Sequence, residues 1–115
     1  MAFNILLVDD SLTVRAVIAK ALEIAGVDVG QLHEAGDGAE ALEVLDREWV
    51  DLVFADISMP VMDGVEATRR IHERFPDVRI MILTTFDDDE LVFDALQYGA
   101  TGYVLKNVDP ADLVM

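Results

Sequence analysis

The chain has 115 residues, 53% hydrophobic and 27% charged, with no cysteine and a formal charge of −15 from 8 basic and 23 acidic residues. That length holds one domain with a real core, and the lack of cysteine excludes a disulfide framework and fits the cytoplasm. No apolar run approaches the roughly 20 residues that span a bilayer and no secretory signal pattern opens the chain, while the acidity opposes direct binding to nucleic acid or an anionic membrane and invites a divalent cation.

Asn4-Ile5-Leu6-Leu7-Val8 reads as a buried strand that stops at Asp9-Asp10. Ser11 can then cap a helix in which Val14, Ile18, Ala21, Leu22 and Ala25 recur at helical spacing until Gly26. Gln31 to Ala35 is a weaker strand, followed by Asp37-Gly38-Ala39-Glu40, which has capping-box spacing. Ala41, Leu42, Leu45 and Trp49 are the expected inner face of the helix that this box opens.

Leu52-Val53-Phe54-Ala55 is an unbroken apolar run, as in a strand buried on both faces, and it ends at Asp56 before a Pro/Gly-marked loop. A second box, Asp63-Gly64-Val65-Glu66, opens a helix expected to bury Val65, Thr68, Ile71 and Phe75 before Pro76 forbids continuation. Ile80 to Leu83 is the fourth strand and ends at Thr84-Thr85. The acidic turn Asp87-Asp88-Asp89-Glu90 suits the positive end of a helix whose core face would be Leu91, Val92, Ala95 and Leu96, closed by Gly99. Tyr103 to Leu105 is a short fifth strand ending at Lys106, and Asp109-Pro110 would open a last helix that is cut short at Met115. Strand and helix signals thus alternate strictly, which specifies a doubly wound parallel α/β sheet of five strands with helices on both faces.

In such a sheet the strand ends share one edge, and ligands bind outside the carboxyl ends of the strands. That edge would collect Asp9, Asp10, Asp56, Thr84 and Lys106. Carboxylates brought together repel one another unless a cation sits among them. Mg²⁺ suits a few carboxylates, keeps several waters and completes its shell with a phosphate oxygen, so the acids point to a metal and a phosphoryl group together. Lys106 offers a compact positive charge and the Thr84 hydroxyl a hydrogen-bond donor to phosphoryl oxygens. Asp56, alone at the central strand, is the expected nucleophile forming an aspartyl phosphate, with Asp9 and Asp10 as the metal-binding pair. His33 and His72 have no partners at metal-ligand spacing and read as surface or half-buried residues.

With Val8-Asp9-Asp10-Ser11, Asp56 before Met59-Pro60 and Met62-Asp63-Gly64, Thr84-Thr85, Gly99-Ala100, and Tyr103 three residues before Lys106, the chain resembles, over residues 1–115, the receiver domain of two-component response regulators. The resemblance implies a flavodoxin-like fold of strand order 2-1-3-4-5. It implies that Asp56 takes phosphate from the phosphohistidine of a histidine kinase or phosphotransfer protein, with Asp9, Asp10, Asp56 and the Ser58 main-chain carbonyl holding Mg²⁺. It also makes Thr84 and Tyr103 a switch pair that remodels the face of the fourth helix, fifth strand and last helix for a downstream protein or output domain.

Three features depart from the common family pattern: Asn107 stands where many members have proline, Thr85 is bulkier than usual, and the last helix is short. Up to about Glu66 the chain looks like a stand-alone chemotaxis-type receiver. From Ile80 onward it looks like receivers attached to helix-turn-helix transcription regulators, as in a chimera. Two other readings compete. A recombined or degenerate receiver scaffold would fold without switching and dimerise through the surface left bare by the short last helix. A phosphohydrolase would use the same chemistry but needs a general acid or base, and Ser58 stands two residues after Asp56 where such a carboxylate would be expected.

Overall fold

The structure is a computed structural model that describes residues 2–59, 61–84 and 89–105. Its elements alternate without exception: β1 (Phe3–Val8), α1 (Leu12–Ile24), β2 (Val29–Ala35), α2 (Gly38–Arg47), β3 (Leu52–Asp56), α3 (Gly64–Arg74), β4 (Arg79–Thr84), α4 (Asp89–Gln97) and β5 (Gly102–Leu105). All strand pairs are parallel, in the order β2-β1-β3-β4-β5. The expected doubly wound five-stranded sheet is therefore the observed one. β2 begins two residues earlier than its apolar pattern suggests, because Val29 pairs with Phe3 across an irregularity in the β1–β2 register.

The inner strands β1, β3 and β4 carry most of the buried positions, which is why they read as continuous apolar runs, whereas the edge strands β2 and β5 are largely exposed or half-buried. Leu6, Val8, Val53, Ala55, Ile80 and Ile82 point to one side and pack with residues of α2, α3 and α4. Ile5, Leu7 and Leu83 point to the other and pack with Ile18 of α1. On that second side the described residues leave an apolar trough of about 740 Å³, lined among others by Phe3, Leu52, Phe54 and Met81. The expected last helix at Asp109-Pro110 lies outside the described residues, as do Thr85, Asn107 and the acidic turn at Asp87-Asp88.

Each helix whose N-cap residue is described is capped as its sequence signals predict. Ser11 Oγ accepts from Val14 N at 3.2 Å, Asp37 Oδ1 from Glu40 N at 2.8 Å, and Asp63 Oδ1 from Glu66 N at 2.9 Å. The reciprocal half of each box differs. Glu40 reaches past the cap to accept from Gly36 N at 3.1 Å, and the Glu66 carboxylate is taken by Arg69 and Arg70.

Two expected core faces need correction. Trp49 is not on the inner face of α2, which ends at Arg47; its side chain is 74% exposed, and its indole N–H donates to Asp51 Oδ1 at 3.1 Å. On α4 only Val92 and Ala95 are buried, while Leu91 and Leu96 flank that narrow stripe and face outward. A nine-residue helix presents little more than two turns to the sheet, too little to bury four large positions.

Candidate functional site: an acidic pocket at the carboxyl edge of the sheet

The first and third strands deliver their acids to one place because they are direct neighbours. Val8 pairs with Ala55 and the next residues are Asp9 and Asp56. Asp9, Asp10 and Asp56 each offer a carboxylate oxygen, and these atoms lie within 4.8 Å of one another. Asp9 and Asp56 are buried, whereas Asp10 is exposed at the mouth.

Local backbone holds two of these carboxylates. Ser11 N donates to Asp9 Oδ1 at 2.8 Å and Ser58 N donates to Asp56 Oδ1 at 3.2 Å, so each aspartate is steered by the amide two residues on. The loop leaving β3 is folded tightly back on the strand end: Ile57 N donates to Leu83 O, and Gly64 N donates to Ile57 O, both at 2.9 Å. A Cβ on Gly64 would lie 2.4 Å from the Asp56 carbonyl oxygen and 2.6 Å from Ile57 Cα. Glycine is therefore required at the start of α3 by the close approach of backbone to the strand that carries Asp56. Chain order alone did not reveal that role; the Asp-Gly pair signalled only a helix start.

Thr84 ends β4 and is buried; Asp56 pairs with Leu83, one residue before it, so the hydroxyl-bearing position adjoins the aspartate on the next strand. Tyr103 of β5 pairs with Ile82 of β4, two positions below Thr84 and on its side of the sheet. Both residues line a hollow of about 210 Å³ together with Val92, Phe93 and Leu96 of α4. The Tyr103 side chain is 53% exposed, standing at the rim rather than filling that hollow. Of the expected site residues, Asp9, Asp10 and Asp56 converge, Thr84 adjoins them, Tyr103 shares the hollow next to Thr84, and Ser58 follows the strand end. Lys106 lies outside the described residues.

The donor set is what a hard divalent cation requires: oxygens only, from a small number of carboxylates, with one side open. Two buried negative charges beside a third are costly in a low-dielectric site unless a positive charge offsets them. The acidic residues therefore fit Mg²⁺ on donor chemistry, spacing and charge.

A model of the response regulator receiver domain matches residues 5–115. The chain is 45% identical over 87 residues to the transcriptional regulatory protein YhcZ of Bacillus subtilis, covering 76% of this chain and 41% of that protein. It is 41% identical over 112 residues to the response regulator UvrY of Escherichia coli, covering 96% of this chain and 50% of that one. Its fold is similar, with a TM-score of 0.86 and 30% identity, to the signal receiver domain of NarL from Mycobacterium tuberculosis, over 98% of this chain and 90% of that one. The fold and the acidic pocket define a doubly wound α/β domain with a carboxylate cluster at the carboxyl edge of its sheet. The chain belongs to the receiver domain family of two-component response regulators. It spans about half the length of the curated relatives it matches. Among the described residues no helix is long and apolar enough to cross a membrane.

Proposed function

We propose that this receiver is a phospho-acceptor switch in which Asp56 takes the phosphoryl group of a histidine kinase or phosphotransfer protein. The observation that carries this reading is the convergence of three carboxylates within 4.8 Å at the carboxyl edge of the sheet, two of them buried. Asp56 would attack phosphorus through a carboxylate oxygen, forming the acyl phosphate as the phosphorus–nitrogen bond breaks and its electron pair returns to the imidazole. Asp9, Asp10, Asp56 and the Ser58 carbonyl are the residues that would hold Mg²⁺. When bound, the ion supplies positive charge that offsets repulsion between the pocket and the incoming phosphoryl group. The Ser58 and Ser11 amides keep Asp56 and Asp9 in orientation, and Thr84 supplies a hydroxyl beside the reacting centre. Lys106 would pair with a phosphoryl oxygen.

The output is a change at the hollow between β4, β5 and α4, where Thr84 and Tyr103 meet the same space. Movement of the Thr84 hydroxyl toward the phosphoryl group would let the Tyr103 ring turn into that space, altering the α4–β5 surface that a downstream protein or output domain reads. The chain is an acceptor that catalyses its own modification, rather than a turnover enzyme. Incubation with Mg²⁺ and acetyl phosphate followed by intact-mass measurement tests the reading. One phosphoryl group is expected on the native chain and none on Asp56→Asn or with a chelator; labelling that survives Asp56→Asn would overturn it.

A further inference from the structure

The end of the sheet opposite Asp56 carries a second constructed feature. Asp51, at the start of β3, binds in four directions: its Oδ2 accepts from Asn4 N at 2.8 Å, its Oδ1 from Trp49 Nε1 at 3.1 Å, its amide donates to Asn4 O at 2.8 Å, and its carbonyl accepts from Arg79 N at 3.1 Å. Trp49 is consequently held by its polar edge while the ring is 74% exposed. Beside it lies a groove of about 250 Å³ lined by Leu45, Phe75, Pro76 and Val78. That is smaller than the usual small-molecule or cofactor cleft of about 300–1,000 Å³, and matches one or two inserted side chains.

Charge decides which side chains. The groove is also lined by Glu48, Asp51, Asp77 and Arg74. Arg74 is already committed, its guanidinium donating to Asp46 at 2.6 Å and lying 5.2 Å from the Phe75 ring centroid. Both carboxylate oxygens of Asp51 are used by Trp49 and Asn4. Among the described residues no cation is paired with Glu48 or Asp77. An exposed, positioned indole beside two carboxylates attracts a cation over its face, and the net charge of −15 adds long-range attraction.

We propose that this groove docks a segment of a partner protein carrying an arginine beside an apolar residue, with the guanidinium stacked on Trp49 and paired with Glu48 and Asp77. A rigid aromatic anchor of this kind is where interface energy concentrates. The groove begins where β3 begins, five residues and about 15 Å from the phospho-acceptor, so docking there leaves the acidic pocket accessible.

Trp49 is the one tryptophan of the chain, so its fluorescence reports this site directly. Titration of the full chain with the capped peptide acetyl-Leu-Arg-Leu-Arg-amide should give a saturable change, and acetyl-Leu-Glu-Leu-Glu-amide none. Glu48→Lys with Asp77→Lys, both exposed positions, should weaken the arginine peptide at least about tenfold, while Asp56→Asn should leave its binding unchanged. An unsaturable response, equal responses to the two peptides, or indifference to the charge reversals would overturn the proposal.

Discussion

At the scale of single residues, Gly64 controls the site as much as any acid does. Gly64→Ala should gain up to about 1 kcal/mol of helix propensity. It would also force a methyl against the Asp56 carbonyl, and because the obstacle is backbone, the steric cost of about 1–3 kcal/mol prevails. Urea denaturation should show a net loss of stability, and phosphoryl uptake should fall with it. Val61, three residues earlier, has φ +68° with its side chain 83% exposed, a left-handed conformation that a β-branched residue resists. Val61→Gly should therefore raise stability by about 1 kcal/mol, since no buried contact is lost; a lower urea midpoint would refute the strain. The acids and Thr84 were legible in the sequence because each ends an apolar run. The demand for glycine at residue 64 was not, since it arises from a loop returning to its own strand.

Elements are held by contacts whose partners are remote in sequence, and there the chain was harder to read. The Asp51 clasp joins the starts of β1, β3 and β4, so Asp51→Ala should cost about 2 kcal/mol by thermal or urea unfolding. Nothing local marks Asp51 for this role, and the helical spacing that points Trp49 inward fails for the same reason: α2 ends at Arg47 and the indole N–H bonds the carboxylate two residues further on. In α3, Glu66 lies at the centre of a surface network. Hydrogen bonds and charge from Arg69 and Arg70 lower its carboxyl from 4.5 to about 2. A lowered folded-state value means that the network's contribution is complete above the ordinary carboxylate range and is lost as pH falls from about 4.5 toward 2. Glu66→Gln should flatten the acid limb of a stability–pH curve in that window; an unaltered acid limb would show that the Glu66 network does not stabilise the fold.

For the whole molecule, parallel order brings two neighbouring strand ends together and so joins the adjacent Asp9-Asp10 pair to the remote Asp56 in one pocket. The parallel sheet follows from the alternating elements, and its strand order from the family resemblance. A bare apolar face beside a short last helix is implied by the sequence, but its lining by Phe3, Leu52, Phe54 and Met81 among the described residues emerges only in three dimensions. Folding concentrates negative charge at this edge, so a cation that binds only the folded state must stabilise it. At free Mg²⁺ about ten times its Kd, the gain is about 1.4 kcal/mol. Asp10→Asn, at an exposed position, should reduce that gain without unfolding the chain, whereas NaCl at equal ionic strength should not reproduce it. The most direct test of the pocket is an experimental structure grown with Mg²⁺ and beryllofluoride. The beryllium is expected on an Asp56 carboxylate oxygen and the ion between Asp9, Asp10 and Asp56; beryllofluoride on any other residue, or a metal bound away from these three acids, would rule out Asp56 as the phospho-acceptor of a metal-bearing pocket.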